Sequence, residues 1–427
     1  MIILSHPTGN ENVRQAGLAF AEANLLEEFF TTINWNPPSV FDRLLPARVR
    51  ETFRRRSFPQ MVRARTISLP FRETARLLSG VLRLPLFSEH ERGFLSIDAV
   101  SVALDCAVAA AVRNSGTCKL VYSYEDCALA TFGAAERRGI PRMYDLPIGY
   151  WRVAQRIFAE ECERKPEWAS TLTGARDSDE KLARKDEELR LATRVIVASS
   201  FTKSTLAEAT QRRSGRRLAV ESSDLRPVTV IYYGAPVAAT NEIAKSKNKL
   251  KVLFVGALGQ RKGLSYGLRA VELIGGKNCE LTLLGRKVAK GCRPLDQATQ
   301  THRWLPSLPH AQVLREMRQH DVLIFPSLFE GFGLAITEAM SQGIPVITTA
   351  HTAGPDIIDD GVDGFIVPIR SAEAIAEKLE VLARDRERLR AMKISAREKA
   401  QKYPWENYRR ALLTLAREVM KGREGLA

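Results

Sequence analysis

Glu330 and Glu338 are separated by seven residues, with Gly331 and Gly333 in the gap: Phe325-Pro326-Ser327-Leu328-Phe329-Glu330-Gly331-Phe332-Gly333-Leu334-Ala335-Ile336-Thr337-Glu338. Asp321 to Phe325 reads as a strand, the glycines as a turn, and the residues from Gly333 onward as a helix start. A helix start presents unpaired backbone N–H groups and the positive end of the helix dipole, so the turn suits an anion. A carboxylate beside bound phosphate would be repelled by it. Two carboxylates here make chemical sense as acceptors of hydrogen bonds from hydroxyls. A ligand with both phosphate and many hydroxyls is a sugar nucleotide.

A second run, Val255-Gly256-Ala257-Leu258-Gly259-Gln260-Arg261-Lys262-Gly263, ends a strand, turns on glycine and delivers two cations. Arg261 and Lys262 could neutralise a diphosphate. Taken alone, such a run is more often an exposed turn with solvated cations. Its pairing with the glutamate motif favours the phosphate role.

The elements that must position these groups alternate between strand-like and helix-like, the pattern of an α/β fold with parallel sheets. In the first half, Met1–Ser5, Lys119–Tyr124, Arg142–Asp145, Arg194–Ala198 and Arg226–Tyr233 read as strands. A helix is expected from near Asn12, with Gln15 placed for a capping box. Val237 to Asn248 is small, polar and lysine-bearing, which suits a linker. A second alternation follows, with strands at Lys251–Val255, Glu280–Leu284, Asp321–Phe325, Pro345–Thr349 and Gly364–Val367. Two doubly wound domains would bind ligand in the cleft facing the carboxyl ends of both sheets.

The 427 residues suffice for two or three domains, and 45% apolar content is ordinary for a globular chain. No apolar run is long enough to span a membrane, and the N-terminus reads as a strand rather than a signal peptide. Six scattered cysteines without metal-type spacing fit reduced thiols in a cytoplasmic protein. The net charge of +15 calls for an anionic partner. No nucleic-acid-binding module is visible. The charge concentrates in Arg43–Arg65, where eight arginines face only Glu51 and apolar residues such as Leu44, Phe53, Phe58 and Val62 lie between them. That segment is either a solvated basic helix pair or a peripheral contact with an anionic membrane surface.

The span from Lys249 to Arg384 resembles, in order, the donor domain of family 4 glycosyltransferases, the retaining group with the GT-B fold. The matching stretches are Val255-Gly256 to Lys262-Gly263, Leu283-Leu284-Gly285, Asp321 to Ser327, the Glu330/Glu338 motif, Gly343 to Ile347, and Gly361 to Val367. The resemblance implies two Rossmann-like domains with a deep cleft between them: an acceptor domain over residues 1–236 and a donor domain over 249–402. A C-terminal helix over 403–427, beginning at Tyr403-Pro404-Trp405, would cross back to the first domain.

The same resemblance implies roles. Glu330 would bind hydroxyls of the donor sugar and Glu338 those of the ribose. The backbone of Gly333 and Leu334, beside Phe332 and Gly256, would hold the diphosphate together with Lys262, and the base would lie near Leu305. Gly9, in His6-Pro7-Thr8-Gly9-Asn10, sits where the family's first glycine loop approaches donor and acceptor. The donor would be a UDP- or GDP-sugar and the acceptor a hydroxyl, with no cofactor and no metal. Asp177-Ser178-Asp179 resembles a metal clamp of another glycosyltransferase fold, but its charged surroundings favour a solvated helix start.

Two positions depart from the family pattern. Ala257 stands where many members have arginine, and Arg261 is expected to supply that cation. The usual first-domain histidine is absent from Met143-Tyr144-Asp145-Leu146-Pro147. Asp145, or Glu125-Asp126 one strand earlier, is expected to position the reacting groups, with a loop or helix-cap aspartate as the plainer reading. The missing histidine also leaves room for a non-catalytic sugar-nucleotide-binding partner. A sugar-nucleotide epimerase would need a first-domain catalytic set that the sequence does not contain.

Overall fold

The computed structural model describes residues 1–37, 47–81, 87, 89–210, 226–240 and 249–422. The first sheet is built from β1 (Ile2–Ser5), β2 (Leu26–Thr31), β3 (Thr66–Ser68), β4 (Leu120–Tyr124), β5 (Arg142–Leu146), β6 (Arg194–Val197) and β7 (Val228–Val230), in the order β3-β2-β1-β4-β5-β6-β7. The second comprises β8 (Leu250–Val255), β9 (Cys279–Leu284), β10 (Arg303–Leu305), β11 (Val322–Phe325), β12 (Val346–Thr349) and β13 (Gly364–Val367), in the order β10-β9-β8-β11-β12-β13.

All pairings between these strands are parallel. β1, β4, β11 and β12 are buried along their whole length, because helices cover both faces of each sheet. The strand order reverses between β1 and β4 and between β8 and β11, and a crevice opens at the carboxyl ends there. Two doubly wound sheets thus face one cleft, the architecture that the resemblance implies.

The helix Trp405–Lys421 returns to the first domain. It packs on the helix Glu11–Glu22, buries Tyr408, Leu412 and Leu415, and presses Trp405 on the Gly234 backbone.

Three local readings change. The helix starts at Glu11, and Gln15 bonds the Glu11 carboxylate at 2.8 Å instead of closing a capping box; Asn10 makes no side-chain cap bond. The strand expected over Arg226–Tyr233 is limited to Val228–Val230, because Tyr233 leaves the sheet to pack against Phe332, Trp405 and Tyr408. β2, β3 and β10 also join the sheets, at or next to their edges. The second part of the expected linker, 241–248, lies outside the described residues.

Candidate active site

The cleft between the sheets encloses about 1180 Å³. Its second-domain wall is built by the turn after β11. Gly333 has φ 85°, a left-handed conformation, and a Cβ there would sit 2.7 Å from the Phe325 ring. Only glycine allows the chain to turn this tightly into the helix Leu334–Ser341, whose first N–H groups then face the cleft. Glu330, Phe332, Gly333, Leu334 and Glu338 all line it.

The cationic turn is pressed on the same point. Gly263 has φ 68°, and a side chain there would overlap the Pro326 carbonyl. This close approach brings Lys262 onto Glu330: its Nζ donates to Oε2 and lies 4.4 Å from the Phe325 ring centroid. Arg261 Nη1 donates to the same Oε2 at 3.1 Å and to the Phe329 carbonyl at 2.9 Å. Burial would raise the Glu330 carboxyl, but Arg261 and Lys262 together hold it down to about 2. Burial lowers Lys262 to about 8 against the pull of Glu330, so it stays protonated at neutral pH. Glu338 bonds His310 at 2.9 Å, and that bond raises the imidazole above its ordinary range.

Lys262 faces the main cleft, but Arg261 does not. Arg261 lines a smaller cavity of about 310 Å³ behind it, with Glu125, Trp151 and Lys185. The cation beside Ala257 is instead Arg286. It is exposed, and it lines both the cleft and the smaller cavity. It follows β9 directly. A Cβ on Gly285 would overlap the Gly256 carbonyl, and the Leu258 N–H bonds the Arg286 carbonyl at 2.9 Å, so the two strand ends touch. The sequence carried a signal for Arg286, a cation straight after the strand-ending Leu284-Gly285, that was passed over. Gly256 lines the cleft with φ 137°. Leu305 ends β10 half-buried just short of the cleft, and the next residues, Pro306 to Leu308, form its wall.

On the first-domain side, Gly9 lines the cleft, and its neighbour His6 does too. His6 closes β1, accepts the Thr8 N–H on Nδ1 at 2.9 Å, and is pushed down to about 4 by burial, so its ring is neutral. Asp145 is placed differently from the sequence expectation. It is 1% exposed, does not line the cleft, and accepts the Tyr122 hydroxyl at 2.6 Å. Burial raises it to about 7. Its surroundings are the phenol rings of β4 and of the C-terminal helix, so it is a buried strand residue, neither a cleft residue nor a loop or helix-cap aspartate. Ser178 caps the helix Asp179–Leu191, and Asp177 bonds Lys181, the pattern of a helix start.

The basic segment reaches the cleft as well. Arg43 lies outside the described residues, but Arg54, Arg55 and Arg56 line the cleft with Arg14. Arg55 donates across its mouth to Ser307 Oγ at 3.2 Å and the Leu308 carbonyl at 3.3 Å. The apolar residues Phe58 and Val62 are buried in the first domain's core, which removes them from any surface contact. Among the described residues no helix is long and apolar enough to cross a membrane.

Residues 238–399 match the family described as glycosyl transferases group 1. Over 125 residues the chain is 38% identical to a sucrose synthase of Acidithiobacillus caldus, a stretch covering 27% of this chain and 16% of that protein. The matched stretches span 16%, 38% and 29% of three such curated relatives. In three dimensions the likeness extends over the whole chain. The sucrose-phosphate synthase of Thermosynechococcus elongatus superposes with a TM-score of 0.68 at 18% identity, covering 99% of both chains. HepE of Anabaena in complex with UDP-glucose does so with a TM-score of 0.61 at 16% identity, covering 98% of this chain and 99% of that one. Residues 238–399 are thus similar to the group 1 glycosyl transferases, in a chain with the GT-B fold.

Proposed function

We propose that this chain is a glycosyltransferase that moves a sugar from a nucleoside diphosphate sugar, UDP- or GDP-linked, to an acceptor hydroxyl with retention of configuration and without a metal. The observation that carries the reading is the convergence of Lys262, Glu330 and the helix start at Gly333 on one face of the cleft, opposite the Gly9 loop. The donor's base lies along Pro306 to Leu308, and its ribose hydroxyls meet Glu338. The diphosphate takes the free N–H groups at Gly333 and Leu334 and draws Lys262 toward itself. That shift frees Glu330 to accept hydrogen bonds from the sugar hydroxyls. As the sugar departs, negative charge grows on the diphosphate, and Lys262 and the helix start stabilise it in place. Retention follows the family resemblance: the leaving diphosphate takes the proton of the incoming hydroxyl. The likeness to a protein solved with UDP-glucose supports UDP as the first nucleotide to try.

The second reading, a binding partner without catalysis, is favoured by Asp145, which is buried where the family has a histidine at the cleft. Thermal-shift measurements with UDP-, GDP- and ADP-sugars identify the donor, because binding to the folded state alone raises the melting temperature. Donor hydrolysis and transfer assays then separate the two readings. Glu330→Gln is expected to cut transfer by at least about 100-fold. An unchanged rate in a folded variant would sink the assignment, and tight donor binding with neither hydrolysis nor transfer would establish the partner reading.

A further inference from the structure

The strangest packing lies away from the cleft, on the outer face of the first domain. The helix Pro70–Val81 is inside out for a water-facing surface. Glu73 is buried, held by Arg56 and Arg76, and Ser79 is buried as well, while Phe71 is 76% exposed and Leu78, on the same face seven residues on, is exposed too. The helix Ile97–Asn114 buries Val100, Leu104, Val108 and Val112 but also leaves apolar side chains outside. Its two acids point inward, Asp98 to Lys181 at 3.0 Å and Asp105 to the backbone N–H groups of Ala130 and Thr131, whereas Ile97 is 66% exposed and Val102 is exposed. Phe94, on the turn between these helices, is exposed, and the Arg72 guanidinium lies 3.9 Å from its ring centroid, which joins the two outer faces into one patch.

Charge is sorted in the same way. Arg65 and Arg92 are exposed on this stretch and Arg72 is half-buried; of its nearby acids Glu91 is engaged by the Ser178 N–H and Glu89 is exposed. Large apolar side chains facing outward, arginines beside them and the helix carboxylates Glu73, Asp98 and Asp105 turned inward suit an anionic lipid surface. The apolar groups enter the acyl boundary, and the guanidinium groups meet headgroup phosphates.

We propose that this face, centred on Phe71, Phe94 and Ile97, docks the chain on an anionic membrane. It takes only Arg65 from the Arg43–Arg65 segment, whose Phe58 and Val62 are core residues. Its position has a consequence. Arg56, which holds Glu73 beneath the exposed helix, also lines the cleft, so a docked chain keeps its cleft beside the lipid.

The test is cosedimentation of the full chain with mixed phosphatidylglycerol–phosphatidylcholine vesicles and with phosphatidylcholine vesicles alone. Wild type is expected to bind the anionic vesicles, and the triple variant Phe71→Ser, Phe94→Ser, Ile97→Ser to bind at least roughly tenfold more weakly. All three positions are solvent-facing, so the melting temperature is expected to hold. Should it fall, Arg65→Glu with Arg92→Glu tests the same face through charge and is expected to lose anionic binding. Wild type left in the supernatant overturns the proposal, as do variants that sediment like wild type or equal binding to neutral vesicles. A dimer in solution that the triple variant disperses, without vesicle binding, assigns the face to a second copy of the chain and also overturns it.

Discussion

At Glu330 one carboxylate serves two cations, Lys262 in the cleft and Arg261 from the cavity behind it. The three side chains together carry a single net positive charge. A nucleoside diphosphate sugar would bring roughly two negative charges to the same place, and the neighbouring Arg286 is placed to balance them. Arg286→Gln is expected to weaken nucleoside diphosphate binding roughly tenfold, the scale of one charge-assisted hydrogen bond, with the melting temperature of the free protein unchanged. Titration calorimetry with the diphosphate identified by the thermal-shift screen checks this, and an unaltered affinity removes Arg286 from the site. The sequence reading gave the cation opposite Ala257 to Arg261, its near neighbour in the chain. The fold supplies Arg286 from an adjacent strand end, where β8 and β9 touch at Gly256 and Gly285.

Among the elements, β1, β4, β5, β6 and all of the second sheet except β10 were legible, most of them from apolar runs. The missed ones lack that signal, since β2 carries Glu27 and Glu28, and β3 and β10 are three-residue edge strands. The donor wall was legible because its chemistry is local, a strand, a glycine turn and a helix within one short run. Of the first-domain wall only the Gly9 loop was legible, because Arg14 and Arg55 reach the cleft only through the fold.

Asp145 shows the same limit. At a strand end it looked like a cleft residue, yet β5, β4 and the C-terminal helix enclose it with Tyr122, Tyr124 and Tyr408, and burial raises it to about 7. A carboxyl raised on folding contributes stability that is fully present below its unfolded value, about 4, and lost as pH rises through its folded value. The melting temperature is therefore expected to fall between about pH 4 and pH 7, the unfolded and folded values of this carboxyl. Glu188, which burial raises to about 8, adds to the slope. Asp145→Asn keeps an acceptor for the Tyr122 hydroxyl and removes the titration, so its melting profile is expected to be flatter across that range. A slope identical to wild type would show that Asp145 does not titrate there.

Across the whole molecule, the two domains meet directly behind the glutamate motif. The Gly331 carbonyl accepts Ser199 Oγ and, at 3.0 Å, Thr202 Oγ1, while a Cβ on Gly331 would overlap the Pro147 carbonyl. Phe329 fills the space beside Gly149, where a Cβ would sit 2.5 Å from its ring. Arg55 reaches Ser307 and Leu308 at the opposite mouth, so the cleft is spanned at both ends. The backbone that places Glu330 is thus seated on the first domain, and the angle between the domains sets the distance from donor to acceptor wall. Gly331→Ala inserts one methyl group into that seat. Overpacking of this kind costs about 1–3 kcal/mol, which here is most readily relieved by moving Pro147 and its domain away. The nucleotide contacts proposed for Lys262, Leu334 and Glu338 all lie within the second domain, so diphosphate affinity is expected to change little. Transfer depends on the approach of the first domain and is expected to fall about 100-fold, because a misplacement on the order of 1 Å has that effect. Small-angle scattering should report a larger radius of gyration in the variant. Ser199→Ala with Thr202→Val, which removes the hydrogen bonds without adding volume, should leave the radius near that of wild type. Normal transfer in Gly331→Ala would mean that the contact at Pro147 does not set the catalytic distance, and affinity lost in step with transfer would mean that the donor wall itself had been disturbed.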